Sequence, residues 1–157
     1  MKNQLPLADA DIVRIAQGYY DAVDSLDGER LAGLYYPAPT TSLQFNADAP
    51  IVGLDAIRDF TNGFGKTLAG IRHTQIEVWT NPLMGGVVPV DLPPGRPASS
   101  VTVVSTALPI FSVGAGAALK RMALPATSIF TIDVATGKFL SVHNMFDIGK
   151  VYAAVQA

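Results

Sequence analysis

An α+β fold is predicted for this chain of 157 residues by three features of its sequence. Apolar residues recur at helical spacing up to Leu68, and from Gly70 onward that period gives way to alternation and β-branched runs. Helices that precede strands build segregated layers rather than alternating βαβ units. The third feature is GKFLSVHNMFDIGKVYAAV near the end of the chain. As a strand it places His143, Met145 and Asp147 on one face, with Leu140, Val142 and Phe146 on the other. An imidazole and a carboxylate sharing one face, in a chain rich in apolar residues, suggest a site in a small-molecule cavity.

The elements follow in order. Ile12, Ile15, Ala16, Tyr19, Val23 and Leu26 form the stripe of a first helix, with Asp9 or Asp11 as its cap. Asp27 caps a second helix that carries Leu31, Leu34 and Tyr35 and is ended by Pro37 and Pro39. TTSLQFN (40–46) reads as a strand and NADAP as its turn. Gly53 opens a third helix with Ile57, Phe60, Phe64 and Leu68 on one face. Further strands are predicted at about 71–80, 99–113, 124–134 and 139–147. Residues 81–98 hold five prolines and three glycines, an irregular insert that reads as a cavity lid, a dimer arm or a disordered stretch. VGAGAALKR (113–121) reads as a mobile hairpin tip.

The length suits a single domain over 1–157 with one core. Charged residues make up 15% and hydrophobic ones 49%, and the mean hydropathy is +0.31. Such a chain has a generous core, an apolar cavity or a covered subunit interface. A net charge of −2 offers no basic field, which argues against nucleic acid as a partner. Without cysteine there is no disulfide and no thiolate nucleophile. MKNQLPLADADIV lacks the apolar run of a secretory signal, so a cytoplasmic location is expected. Pro97–Leu119 is free of charge and long enough to span a bilayer, but Val101 and Val103 alternating with Thr102 fit a buried strand better, and no membrane span is expected.

Several motifs fail on spacing. Gly65-Lys66-Thr67 resembles the tail of a phosphate loop, yet Phe60 stands where its first glycine belongs. His73 and His143 show no HExxH spacing, so no metal is expected. VGAGAA lacks a strand–GxGxxG–helix setting, and no serine occupies a G-x-S-x-G elbow. No cofactor is implied.

Three stretches carry a resemblance to a known superfamily: YYDAVDSLDGERLAGLYY (19–36), FNADAPIVGLDAIRDF (45–60) with IRHTQIEVW (71–79), and GKFLSVHNMFDIGKVYAAV. Together they resemble the nuclear transport factor 2-like superfamily, and the last is most similar to the SnoaL-like polyketide cyclases. The resemblance covers nearly the whole chain outside 81–98. It implies a cone-shaped, cystatin-like roll in which three N-terminal helices pack on a curved, mostly antiparallel sheet around a pocket. It further implies that Asp147 is the cavity acid/base and that His73 projects inward. Asp24 then falls where scytalone dehydratase-like members keep a carboxylate that orients this histidine, and Tyr19 where ketosteroid isomerase-like members hold a tyrosine donor. Thr127 replaces the carboxylic acid that those isomerases use beside it.

Each candidate has a plainer structural role beside the functional one. Asp147 precedes IGKVYAAV and could instead cap a helix. His73 with Asp24 could be satisfied core polarity, and His143 could only shape the pocket. Trp79 shares strand parity with His73 and reads as a pocket wall, while Asn46 is a ligand donor or a turn residue. The expected function is a cofactor-independent cyclase, isomerase or dehydratase acting on an apolar, oxygenated small molecule such as a polyketide or terpenoid intermediate. Asp147, His73 and Asp24 are its expected catalytic residues; Tyr19, Asn46, Trp79, Thr127 and His143 are expected to contact substrate. A homodimer formed through the sheet's outer face is expected. The alternative is a non-catalytic, dimeric binding module of the nuclear transport factor 2 type.

Overall fold

In the computed structural model, residues 7–79 and 100–156 are described, so the insert expected at 81–98 lies outside the described residues. Helix α1 (Asp9–Asp24) and the short α2 (Gly28–Ala32) come first, followed by strands β1 (Ser42–Phe45) and β2 (Ile51–Val52) and helix α3 (Leu54–Thr67). Strands β3 (Gly70–Trp79), β4 (Ser100–Val113), β5 (Lys120–Ala123), β6 (Ala126–Asp133) and β7 (Phe139–Met145) follow, and α4 (Ile148–Gln156) ends the described chain. The uncharged stretch around 100–113 is thus a strand, and no helix among the described residues is long and apolar enough to cross a membrane.

The strands form one seven-stranded sheet in the order β2-β1-β7-β6-β4-β3, with β5 continuing the β6 edge of the long β4. The pairing is antiparallel except between β1 and β7. The sheet curves without closing, as the predicted α+β roll requires. Its concave face carries Val103, Phe130, Ile132 and Val142, which bury Ile12, Ala16, Tyr19 and Tyr20 of α1. The Tyr19 ring meets Tyr20, Phe130 and Phe139 edge-on at centroid distances of 5.6, 5.1 and 5.5 Å. At the other end of the cone, Val151 of α4 closes a second cluster with Leu68, Phe111, Val113 and Leu124.

Local chemistry accounts for the helix starts. Asp27 caps α2, its Oδ1 accepting from the N–H groups of Glu29 and Arg30 at 2.9 and 3.2 Å. Gly53 opens α3 at φ 91°, which only glycine adopts without strain. For α1 the cap is Ala8, with no side-chain bond. Asp9 and Asp11 lie inside the first turn, where their charge favours the positive end of the helix.

The helix layer is tightest at Gly28. A Cβ there would run into the Arg58 carbonyl oxygen and lie 2.7 Å from Asn62 Oδ1, the atom that accepts the Gly28 N–H. Gly28→Ala is therefore expected to destabilise the protein by about 1–3 kcal/mol, the usual range for overpacking. Denaturant unfolding of the two proteins measures this, and a midpoint shift at unchanged slope locates the effect in stability.

Candidate functional site

His73 lies in β3, where the strand ladder is interrupted. Its partner in register is Pro109, which has no N–H to give, and whose carbonyl accepts from Leu124. The His73 N–H is bonded to the Asp24 carboxylate, at 2.9 Å to Oδ2 and 3.2 Å to Oδ1. The same carboxylate holds the ring, with Nδ1 2.6 Å from Oδ1. Asp24 is the last residue of α1, where the helix dipole disfavours a negative charge and no basic residue compensates. The donors that offset this cost come from across the fold. Neutral His73 donating from Nδ1 leaves Nε2 as an acceptor, and Nε2 has no hydrogen-bond partner among the described residues.

That nitrogen belongs to a residue lining a cavity of about 50 Å³ between the concave sheet and the helices. The other walls are largely phenylalanine: Phe45, Phe60, Phe64, Phe111 and Phe146. Among the described residues that line it there is no Asp, Glu, Lys or Arg. Besides Thr61, whose hydroxyl donates to the Ile57 carbonyl at 2.8 Å, its remaining polarity is a directed chain. Ser128 Oγ donates to Asn144 Oδ1 at 2.7 Å, and Asn144 Nδ2 donates to the Tyr19 hydroxyl at 2.9 Å. The chain ends on a phenolic O–H at the cavity wall. Tyr35 lies beside it with its own hydroxyl wholly buried.

Of the residues anticipated from sequence, His73, Asp24 and Tyr19 converge here, and five others stand elsewhere. Asp147 lies outside the cavity, beyond the end of β7, with its side chain 55% exposed. It heads α4, where Oδ1 accepts from the Lys150 N–H at 3.3 Å and Oδ2 pairs with Lys150 Nζ at 3.4 Å. His143 is on the outward face of β7 and is bonded through Nε2 to the Asn46 carbonyl. The alternation predicted for this strand holds, but the cavity wall is the face of Val142, Asn144 and Phe146, because burial of the apolar side chains decides which face turns inward.

Thr127 is outward on β6 for the same reason, since Ala126 and Ser128 line the cavity. Asn46, at φ 49°, uses its side chain as a splint. Nδ2 donates to the Phe146 carbonyl at 2.8 Å and Oδ1 accepts the Phe146 N–H at 3.0 Å. Trp79 is 58% exposed because a β-bulge breaks its parity with His73: three steps from Thr74 to Glu77 span only two on β4, and Gln75 sits at φ 50°. Asn144 and Ser128 were not anticipated. Their signal was present in the pattern, as lone polar residues on otherwise apolar strand faces (140/142/146 and 126/130/132).

Burial pushes the phenols of Tyr19, Tyr20 and Tyr35 above the ordinary tyrosine value of 10.0. For Tyr19 the bond from Asn144 opposes this and the neighbouring Tyr20 adds to it. A pKa raised by folding stabilises below the unfolded value, and that stability is lost as pH climbs beyond it. These three phenols are therefore expected to ionise only together with unfolding above about pH 10, seen as coincident ultraviolet phenolate and circular dichroism transitions. Asp147→Ala is expected to cost about 1 kcal/mol of stability, the usual value of a lost cap. Calorimetry measures that loss, and unchanged Tyr19 and His73 resonances would place it away from the cavity.

A family model of the nuclear transport factor 2 domain matches residues 14–90. No curated protein matches the sequence significantly. Among solved structures, the fold is similar to a protein from Shewanella denitrificans OS-217 assigned as a SnoaL-like polyketide cyclase, at 14% identity and TM-score 0.67 over 95% of this chain and 98% of that one. It is similar to one from Novosphingobium aromaticivorans DSM 12444 assigned as a scytalone dehydratase, at 18% identity and TM-score 0.62 over 87% and 82%. It is also similar to TerC, crystallised with polyporic acid, at 13% identity and TM-score 0.64 over 94% and 99%. The chain thus resembles the nuclear transport factor 2 domain over residues 14–90, and its fold is similar to that of the SnoaL-like proteins.

Proposed function

We propose that the chain is a cofactor-independent acid/base enzyme, a cyclase, isomerase or dehydratase acting on an apolar, oxygenated small molecule of polyketide or terpenoid type. The observation that carries this reading is the Asp24-held His73, a residue on the wall of an apolar, aromatic-lined cavity. His73 Nε2 accepts a proton from a carbon next to a carbonyl, or from a hydroxyl. The resulting imidazolium is stabilised by Asp24. The Tyr19 O–H donates a hydrogen bond to the developing oxyanion and keeps its proton, consistent with its raised pKa. Returning the proton to another carbon, to the oxygen or to a departing hydroxyl completes ring closure, isomerisation or dehydration. The similar folds of the cyclase- and dehydratase-assigned proteins and of TerC with polyporic acid support the substrate class.

Size constrains the ligand. A void of about 50 Å³ holds only a few waters. A flat ring therefore enters by displacing phenylalanine side chains, Phe60 and Phe64 among them. Asp147 has no part in this mechanism, because it does not line the cavity. On the sheet's outer face, Val104 is 37% exposed and Leu108, Ile110 and Ile129 are half-buried, an apolar surface that we assign to a homodimer.

Two expectations follow from the site and from this surface. With a panel of planar hydroxylated ketones, Asp24→Asn and His73→Gln are each expected to lower turnover by about 10²–10⁴-fold while the ligand still binds. Saturable binding with no turnover by the unsubstituted protein makes it a binding module, and absence of both refutes the substrate class. Sedimentation is expected to give a dimer that Val104→Asp dissociates; a monomer at micromolar concentration removes the interface.

A further inference from the structure

We propose that Tyr20 and Ser105 are positioning residues that set the orientation of the His73 imidazole by clamping the β3 bulge. Tyr20 follows the cavity tyrosine in sequence, and its ring also packs on Phe130. Its hydroxyl donates to Ser105 Oγ at 2.9 Å, and Ser105 Oγ donates to the Glu77 carbonyl at 2.8 Å. Glu77 is the first residue to regain register after the bulge. The chain thus runs from α1 through β4 to the distorted segment of β3, with the side chains of Tyr20 and Ser105 almost wholly buried. A hydroxyl in such a place needs its bonds, so breaking one link exposes a cost that the bulge can relieve only by shifting.

The ring of Tyr20 adds a direct contact. It lies against the His73 imidazole at a centroid distance of 4.7 Å and an interplanar angle of 42°. Asp24 holds the imidazole through Nδ1, and Tyr20 contacts its ring. The backbone under His73 is weakly held by its own ladder, since Pro109 opposite donates nothing. Without its ladder bond and four residues from Glu77, the His73 backbone takes its position from the Asp24 bonds and from how the bulge is pinned. This placement deepens the reading of His73 as acid/base, but its test needs no substrate.

The chain has two histidines, and His143 lies on the outward face of β7, bonded to the Asn46 carbonyl, which makes it an internal reference. Tyr20→Phe keeps the ring and removes the hydroxyl; Ser105→Ala breaks the next link. Imidazole ¹⁵N and ¹H resonances are followed through a pH titration in each variant. The expected result is a changed His73 tautomer signature and ring chemical shifts, with His143 unchanged. If either variant leaves His73 as it was, the clamp does not position it. If both histidines move together, the variants loosen the fold generally and the proposal is likewise overturned. Loss of turnover in Asp24→Asn reports on the acid/base reading separately, because it does not touch the Tyr20–Ser105 chain.

Discussion

The Asp24 carboxylate joins the helix layer to the sheet where the sheet is least able to hold itself. It accepts both the backbone N–H and the ring Nδ1 of His73. Each side of this contact is unfavourable alone. A carboxylate at the end of α1 opposes the helix dipole, and β3 opposite Pro109 is short of a ladder donor. Brought together they satisfy each other, and the imidazole is fixed in one tautomer as a consequence. A charged hydrogen bond in a partly buried site contributes more than a surface pair, and removing one partner costs more than the pair contributes.

The cavity depends on a second constraint, the agreement of strand parity with burial. On β4, Val103, Ser105, Ala107, Pro109, Phe111 and Val113 all turn inward. On β6 and β7 the inward set includes Ser128 and Asn144 among apolar residues. Because the surroundings are apolar, these few polar groups must bond to one another, and Ser128, Asn144 and Tyr19 do so in a single directed chain. The result is a largely apolar pocket whose wall carries His73 and the chain that ends on Tyr19. The second apolar cluster, around Val151 of α4, closes the cone beside the phenylalanines that wall the cavity.

Strand pairing and side-chain placement pull against each other in the bulge of β3. An extra residue at positive φ disrupts pairing, yet without it His73 and Ile76 could not both face inward on the same strand. The bonds from Ser105 to Glu77 and from Thr74 to Leu108 hold its two ends.

Helical spacing through Leu68, alternation after Gly70, and the caps at Asp27 and Gly53 are written in local sequence, and they determined the class, the order of elements and the burial of one face of each strand. The resemblance in three stretches added the cone and brought His73, Asp24 and Tyr19 together. Local pattern states that two faces differ; only packing decides which of them encloses the cavity. That is why His143 stands on the face that points away from the pocket, while Asp147 lies past the strand's end and heads α4. Trp79 shows the same limit at shorter range, since a one-residue bulge inverts every side chain beyond it and leaves no clear mark in the sequence. Asn46 and Asp147, both polar residues at element ends, were taken up by backbone bonds. Asn144 and Ser128 gained their role from the tertiary structure, because a polar group among apolar neighbours acquires meaning only from the partner that folding places within reach of it.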